Sequence, residues 1–191
     1  MGIAGKLQTF FVVSLCLVLV ACKGGGESAA RSDQWSEFYG TFKGNAESIL
    51  SGELSERELE VVIKPWEKKG FTVEWTTVIH RADGEKKMTD LSIDFYPAER
   101  PGIFASAMRT DVFGQVVPYD PVAADADPYV WAGLDGNTLT VRALYIVDGG
   151  GYEMHEYKRS LNENGLTLDF QRLSNGEQVA RVSAQLNAVE K

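Results

Sequence analysis

From about residue 35 onward, apolar side chains in this sequence recur at every second position rather than at helical spacing. That period dictates strands with one face on a core. Phe71, Val73, Trp75, Thr77 and Ile79 alternate with Thr72, Glu74, Thr76, Val78 and His80. Leu91, Ile93 and Phe95 alternate with Ser92 and Asp94. The pattern returns in Leu139, Val141, Ala143 and Tyr145, and again in Leu166, Leu168 and Phe170. Between such runs stand Asp83-Gly84, Asp135-Gly136, Asp148-Gly149-Gly150, Asn164-Gly165 and Asn175-Gly176, residue pairs that supply the positive φ angles of tight hairpins.

These signals predict ten antiparallel strands, near 37–47, 57–66, 71–81, 87–97, 102–108, 129–134, 138–147, 151–160, 165–174 and 177–187. Segment 48–56 reads either as a turn or as a short helical lid, and 109–128 is equally open. Short sequential strands leave two sheet edges to hide. An up-and-down barrel hides both by pairing the last strand with the first, whereas a two-sheet sandwich needs longer crossovers than the hairpins after residue 129. The expected fold is therefore an all-β, antiparallel up-and-down β-barrel of about ten strands, spanning 35–191 as one domain.

The N-terminus follows a different logic. Lys6 supplies a positive charge, and Phe10 to Val20 is an apolar run broken only by Ser14 and Cys16, shorter than the roughly 20 residues that span a bilayer. It ends in Leu19-Val20-Ala21-Cys22, which resembles the bacterial lipobox. That resemblance implies a signal peptide over 1–21, lipidation of Cys22, and a membrane partner reached through the acyl chains. The alternative is an ordinary secretory signal with a chance cysteine. Lys23, rather than Asp, follows the cysteine. By similarity to enterobacterial sorting, this implies an outer-membrane lipoprotein facing the periplasm of a Gram-negative host. Residues 22–34, with Gly24-Gly25-Gly26, read as a flexible tether.

Composition narrows function by exclusion. The lipobox resemblance implies that Cys16 leaves with the signal and Cys22 goes to lipid, and since these are the two cysteines of the sequence, the expected folded part holds no disulfide, thiol nucleophile or cysteine metal site. Without residues 1–21 the chain carries 18 basic and 27 acidic side chains, a formal charge of −9 that repels nucleic acid.

Trp35-Ser36-Glu37-Phe38-Tyr39-Gly40-Thr41-Phe42-Lys43-Gly44 is similar to the opening of lipocalin-like (calycin) barrels, with Phe42 where tryptophan is usual. Residues 165–172, followed by Asn175-Gly176, look like the last hairpin of small bacterial lipocalin-like domains. The resemblance implies a barrel enclosing one small apolar ligand. It also implies that Phe42 packs at the closed end beneath an arginine from a late strand, either Arg172 or Arg181. Inward candidates for the ligand wall are Val73, Trp75, Leu91, Ile93, Phe95, Trp131, Leu139, Val141, Tyr145, Leu168 and Phe170. The same side chains equally suit a filled barrel, in which case the protein is a non-catalytic accessory lipoprotein docking a partner in the cell envelope.

Other chemistry is sparse. His155 shares its strand face with Glu153, Tyr157 and Arg159, which predicts a surface position, although haem-binding barrels such as the nitrobindins use a single histidine on a late strand. His80 is expected to face solvent. Neither histidine stands near a Gly-x-Ser-x-Gly elbow, and a Glu74–Asp94 pair across strands reads as outer-face acids. Asp120, Asp125 and Asp127 lack the glycine bend and terminal Glu of a calcium loop. The expectation is a binding protein without catalytic residues, cofactor or metal.

Overall fold

A computed structural model describes residues 34–189 apart from 51–52, 68–69, 82, 108–119, 121 and 124–125, and only the backbone of the strand residues within 47–55. The signal peptide, Cys22 and the tether lie outside the described residues, as do Asp125 and most of 109–128. A 3₁₀ turn, Gln34–Phe38, precedes ten strands: β1 (Gly40–Leu50), β2 (Glu53–Trp66), β3 (Gly70–His80), β4 (Lys86–Pro97), β5 (Ile103–Ser106), β6 (Tyr129–Asp135), β7 (Thr138–Ile146), β8 (Tyr152–Asn162), β9 (Gly165–Ser174) and β10 (Glu177–Ala188). Each strand pairs antiparallel with its sequence neighbours, and β10 returns to β1 to close the barrel. Pairing of the last strand with the first thus covers both terminal edges within the compact unit Asp33–Lys191, while between β4 and β5 the described pairing joins only Phe95–Pro97 to Phe104–Ser106.

Local chemistry accounts for the hairpins. Asn175 and Gly176 take φ of 48° and 89° and connect Ser174 to Glu177 as a two-residue turn whose twist matches its strands. At the closing seam Phe42 opposes Ala188 and Lys43 opposes Asn187. Gly44 lies beside that seam, where a Cβ would overlap the carbonyl oxygen of Gln185, so only glycine admits the close approach.

One open alternative is decided and one expectation is corrected. Residues 48–50 and 53–56 belong to long strands β1 and β2 rather than to a helical lid. Trp35 to Phe38 form the 3₁₀ turn rather than strand, so β1 starts at Gly40, whose φ of 159° is extended.

The core is graded along the barrel. One end is sealed by Phe38, Phe42, Ile63, Phe71, Phe95, Phe104, Leu139, Leu166 and Leu186, each at most 5% exposed. Trp35 covers them edge-on to Phe104 at 5.3 Å, while Phe71 lies 5.0 Å from Phe104 and 5.3 Å from Phe95. Toward the opposite end, inward side chains of β3 and β4 become progressively exposed.

The outer face carries a buried carboxylate. Glu156 on β8 accepts a hydrogen bond from Arg142 Nε at 2.7 Å and from Gln171 Nε2 at 2.8 Å, with Lys158 Nζ at 3.1 Å. Burial alone raises its pKa, but Lys158, Arg142 and Gln171 together hold it below the ordinary carboxylate range. A depressed carboxyl contributes stability that is present above the unfolded value of 4.5 and lost as pH falls through the lower folded value. Urea midpoints should accordingly differ between wild type and Glu156→Gln at pH 7 and converge as the pH drops through that window. A gap that persists below the window would show that the carboxylate's charge is not what stabilises the three strands.

Candidate functional site

Strand register decides which side chains face the interior. Opposed pairs Val73–Ile93, Trp75–Leu91 and Phe71–Phe95 carry the inward faces of β3 and β4. Leu139, Val141, Ala143 and Tyr145 do so on β7, opposite Leu134, Ala132 and Val130 of β6. Ten of the eleven expected wall residues therefore face inward, but at different depths. Val73, Phe95, Leu139 and Val141 are packed solid, and Leu168 nearly so. Trp75, Ile93, Tyr145 and Phe170 are only partly buried against that core, and Leu91 is 44% exposed at the mouth. The former plug the closed half; the latter are less deeply buried, and Trp75 on β3 meets Tyr157 on β8 across the interior with ring centres 5.4 Å apart.

Trp131 is the exception. It stands opposite Arg142 and Ala105 on the outer face, with its ring 5.7 Å from that of Tyr129. The short run before it hid the phase, because the inward residues Val130 and Ala132 are small while the outward ones are aromatic.

His155 is also corrected. It pairs with Ala143 and Arg172, so the face it shares with Glu153, Tyr157 and Arg159 is the interior rather than the surface. Its ring lies 4.7 Å from Tyr145 and 5.8 Å from Phe170, edge-on to the latter. Burial lowers its pKa against the opposing pull of Glu153, so the imidazole is neutral at pH 7. Nε2 lies 3.6 Å from Glu153 Oε2, within ion-pair range but beyond hydrogen-bond distance, and among the described residues it has no hydrogen-bond partner. His80 faces outward as expected, with Nε2 2.7 Å from Glu58 Oε1. Glu74 and Asp94 likewise face outward, bonded to Lys64 and Thr72 respectively. Asp120 accepts a bond from the Val122 N–H, a local turn contact.

The arginine expected over Phe42 is absent from that position. Arg181 points outward to Asp169, and Arg172 faces inward near the mouth, opposite Ala180 rather than near Ala188. Phe42 is covered by apolar neighbours instead.

What the alternation did not reveal is a basic interior. Arg159 is fully buried between Leu139 and Leu168, with its guanidinium carbon 5.3 Å from the Trp75 ring centre and 5.5 Å from that of Tyr157. Burial pulls its pKa down to about 10, still well above neutrality, so it remains charged. The Tyr157 hydroxyl is pushed up to about 12, chiefly by burial, and stays protonated. Arg57, opposite Ile79, also faces inward, and burial lowers its pKa. Arg159 Nε and Nη1 and Arg172 Nε have no hydrogen-bond partner. Strand β8 misleads because Glu156 and Lys158 make its outer face polar too, so neither face looks like core. Counting back from Leu166 through the turn at Glu163-Asn164 pairs Leu161 with Leu166 and Arg159 with Leu168, the one signal that resolves the phase.

No protein-family model and no curated protein matches this chain. Among solved structures it is similar to Rv2717c from Mycobacterium tuberculosis, at 13% identity and a TM-score of 0.48, covering 82% of this chain and 98% of that one. A candidate exported protein with a YmcC-like fold from Bacteroides fragilis matches at 11% identity and a TM-score of 0.28, over 80% of this chain and 96% of that one.

Proposed function

We propose that this chain is a binding protein that holds one small, predominantly apolar molecule in the open half of its barrel. In this reading an acyl anchor on Cys22 presents the barrel from the outer membrane toward the periplasm. The observation that carries the binding reading is the gradient of exposure along the interior. Trp75, Ile93, Tyr145 and Phe170 face inward from β3, β4, β7 and β9, yet these side chains remain only partly buried while those beneath them are sealed. A barrel filled to its rim would bury both sets. The chemistry is retention rather than turnover.

Residues 33–191 contain the whole closed barrel, so this unit is the one to test. Native mass spectrometry of the unit, extracted under mild conditions, is expected to show a copurified mass of lipid size. Titration with a fluorescent fatty acid should quench indole emission in wild type and Trp131→Phe, and much less in Trp75→Phe, because only Trp75 of that pair faces the interior. A bare mass with no uptake would sink the cargo reading. It would leave the accessory role, for which the outward Tyr129–Trp131 pair is the natural contact. A Soret band in the absorbance scan would instead make the cargo haem, with His155 Nε2 as the available ligand.

The anchor has its own test. Labelled palmitate should enter the full chain and be lost in Cys22→Ser, and incorporation into that variant would remove the lipobox assignment.

A further inference from the structure

Among residues whose side chains are described, the register turns Arg57, Glu153, Arg159 and Arg172 into the barrel, three cations and one acid, with Lys87 exposed at the rim, inside a chain of net charge −8. The reversal of sign between surface and interior is strongest at Arg159. That side chain is 0% exposed, and among the described residues no carboxylate forms an ion pair with it. A guanidinium has five N–H donors and no acceptor, so two buried nitrogens without hydrogen-bond partners leave a demand for negative charge that the described residues do not meet. The flanking Trp75 and Tyr157 rings offer their faces to the cation but no hydrogen-bond acceptor of anionic strength.

Resting on the cargo reading above, we propose that the ligand is an amphipathic carboxylate, bound head-first with its carboxylate on Arg159 and its apolar body along Trp75, Tyr157 and Phe170. Depth sets this orientation. Along β8, Glu153 and His155 lie toward the mouth and Arg159 lies two residues from Leu161, which packs on the sealed core. Arg57 and Arg172 lie nearer the mouth, opposite Ile79 and His155, where they draw an anion inward without being its terminus. Charge sets the head group. One guanidinium walled by Leu139 and Leu168 matches the single charge of a carboxylate, whereas a phosphate monoester would bury a second charge at the same depth. Trp75 and Tyr157, both over the Arg159 guanidinium and tilted against one another, with Phe170 4.7 Å from Tyr157, give the body an aromatic wall directly above the head.

The experiment compares three probes on residues 33–191: dansyl-aminoundecanoic acid, its methyl ester and the matching dansyl-alkyl phosphate. Wild type should bind the acid at least about tenfold tighter than the ester, the size of one charge-assisted hydrogen bond, and no weaker than the phosphate. Arg159→Met should bind acid and ester alike, while the outer-face control Arg142→Met keeps the preference. Acid and ester bound equally by wild type would overturn the head-group assignment and leave an apolar cargo standing, and binding of neither would overturn both readings. Tighter binding of the phosphate would replace the carboxylate. A preserved acid preference in Arg159→Met would move the site to Arg57 or Arg172. Should Arg159→Met fail to fold, the three-probe comparison on wild type decides the head group unaided.

Discussion

Replacing Phe71 with alanine is expected to destabilise the barrel by about 3–5 kcal/mol, the range for deleting a fully buried aromatic ring and leaving its cavity. Phe71 is 0% exposed and touches Phe95, Phe104 and Trp35, so it joins β3, β4, β5 and the 3₁₀ turn at the sealed end. The backbone beside it cannot relax into the hole. At the adjacent Gly70 the chain already runs so close to Phe95 that an added Cβ would overlap its carbonyl oxygen. Urea denaturation of residues 33–191 would measure the loss from the midpoint at an unchanged slope. An effect under about 1 kcal/mol would mean that the sealed end is not where the barrel's stability is concentrated. Ligand affinity in whatever fraction stays folded should hold, because the proposed cargo lies in the other half.

Replacing Arg159 with methionine is expected to act in the opposite direction, raising the stability of the empty barrel by about 1–4 kcal/mol. A buried charge costs several kcal/mol in lost hydration, and its stacking on Trp75 and Tyr157 returns only about 2 kcal/mol. Methionine fills a similar volume, keeps a favourable sulfur–aromatic contact and leaves no unpaired donor. Wild type should recover the difference when an anionic ligand is present, by about 2.7 kcal/mol at a hundred times its Kd, whereas the variant should not respond. Thermal melts with and without the dansyl acid measure both arms. A variant less stable than wild type without ligand would show that Arg159 is held for the fold rather than for a ligand.

Most of the fold was legible from the chain. The period of two and the Asp-Gly and Asn-Gly pairs located ten strands, and the need to hide two edges selected a closed barrel over a sandwich. Where the reading of the termini slipped, local sequence is the reason: Trp35-Ser36-Glu37-Phe38 alternates like a strand but turns as a 3₁₀ helix that caps the sealed end. Inward placement followed correctly wherever one face was clearly apolar, as on β3, β4, β7 and β9.

The site was much less legible. The alternation rule equates polar with outward, and β8 breaks it by turning Glu153, His155, Tyr157 and Arg159 into the barrel while Glu156 is buried on the outside beneath Arg142. A strand with two polar faces carries no phase of its own and takes it from the neighbours to which it is hydrogen-bonded. On β6 the inversion is one of size, with Val130 and Ala132 inside and Tyr129 and Trp131 outside.

The sequence alone thus determined strand number, antiparallel order and closure, because these follow from period and turn chemistry, which act within a few residues. Only the tertiary structure decided that Arg57, Arg159 and Arg172 share one interior, because they come from β2, β8 and β9 and meet only once closure and register are fixed. A one-residue slip in any of those strands would have turned the same side chains to solvent.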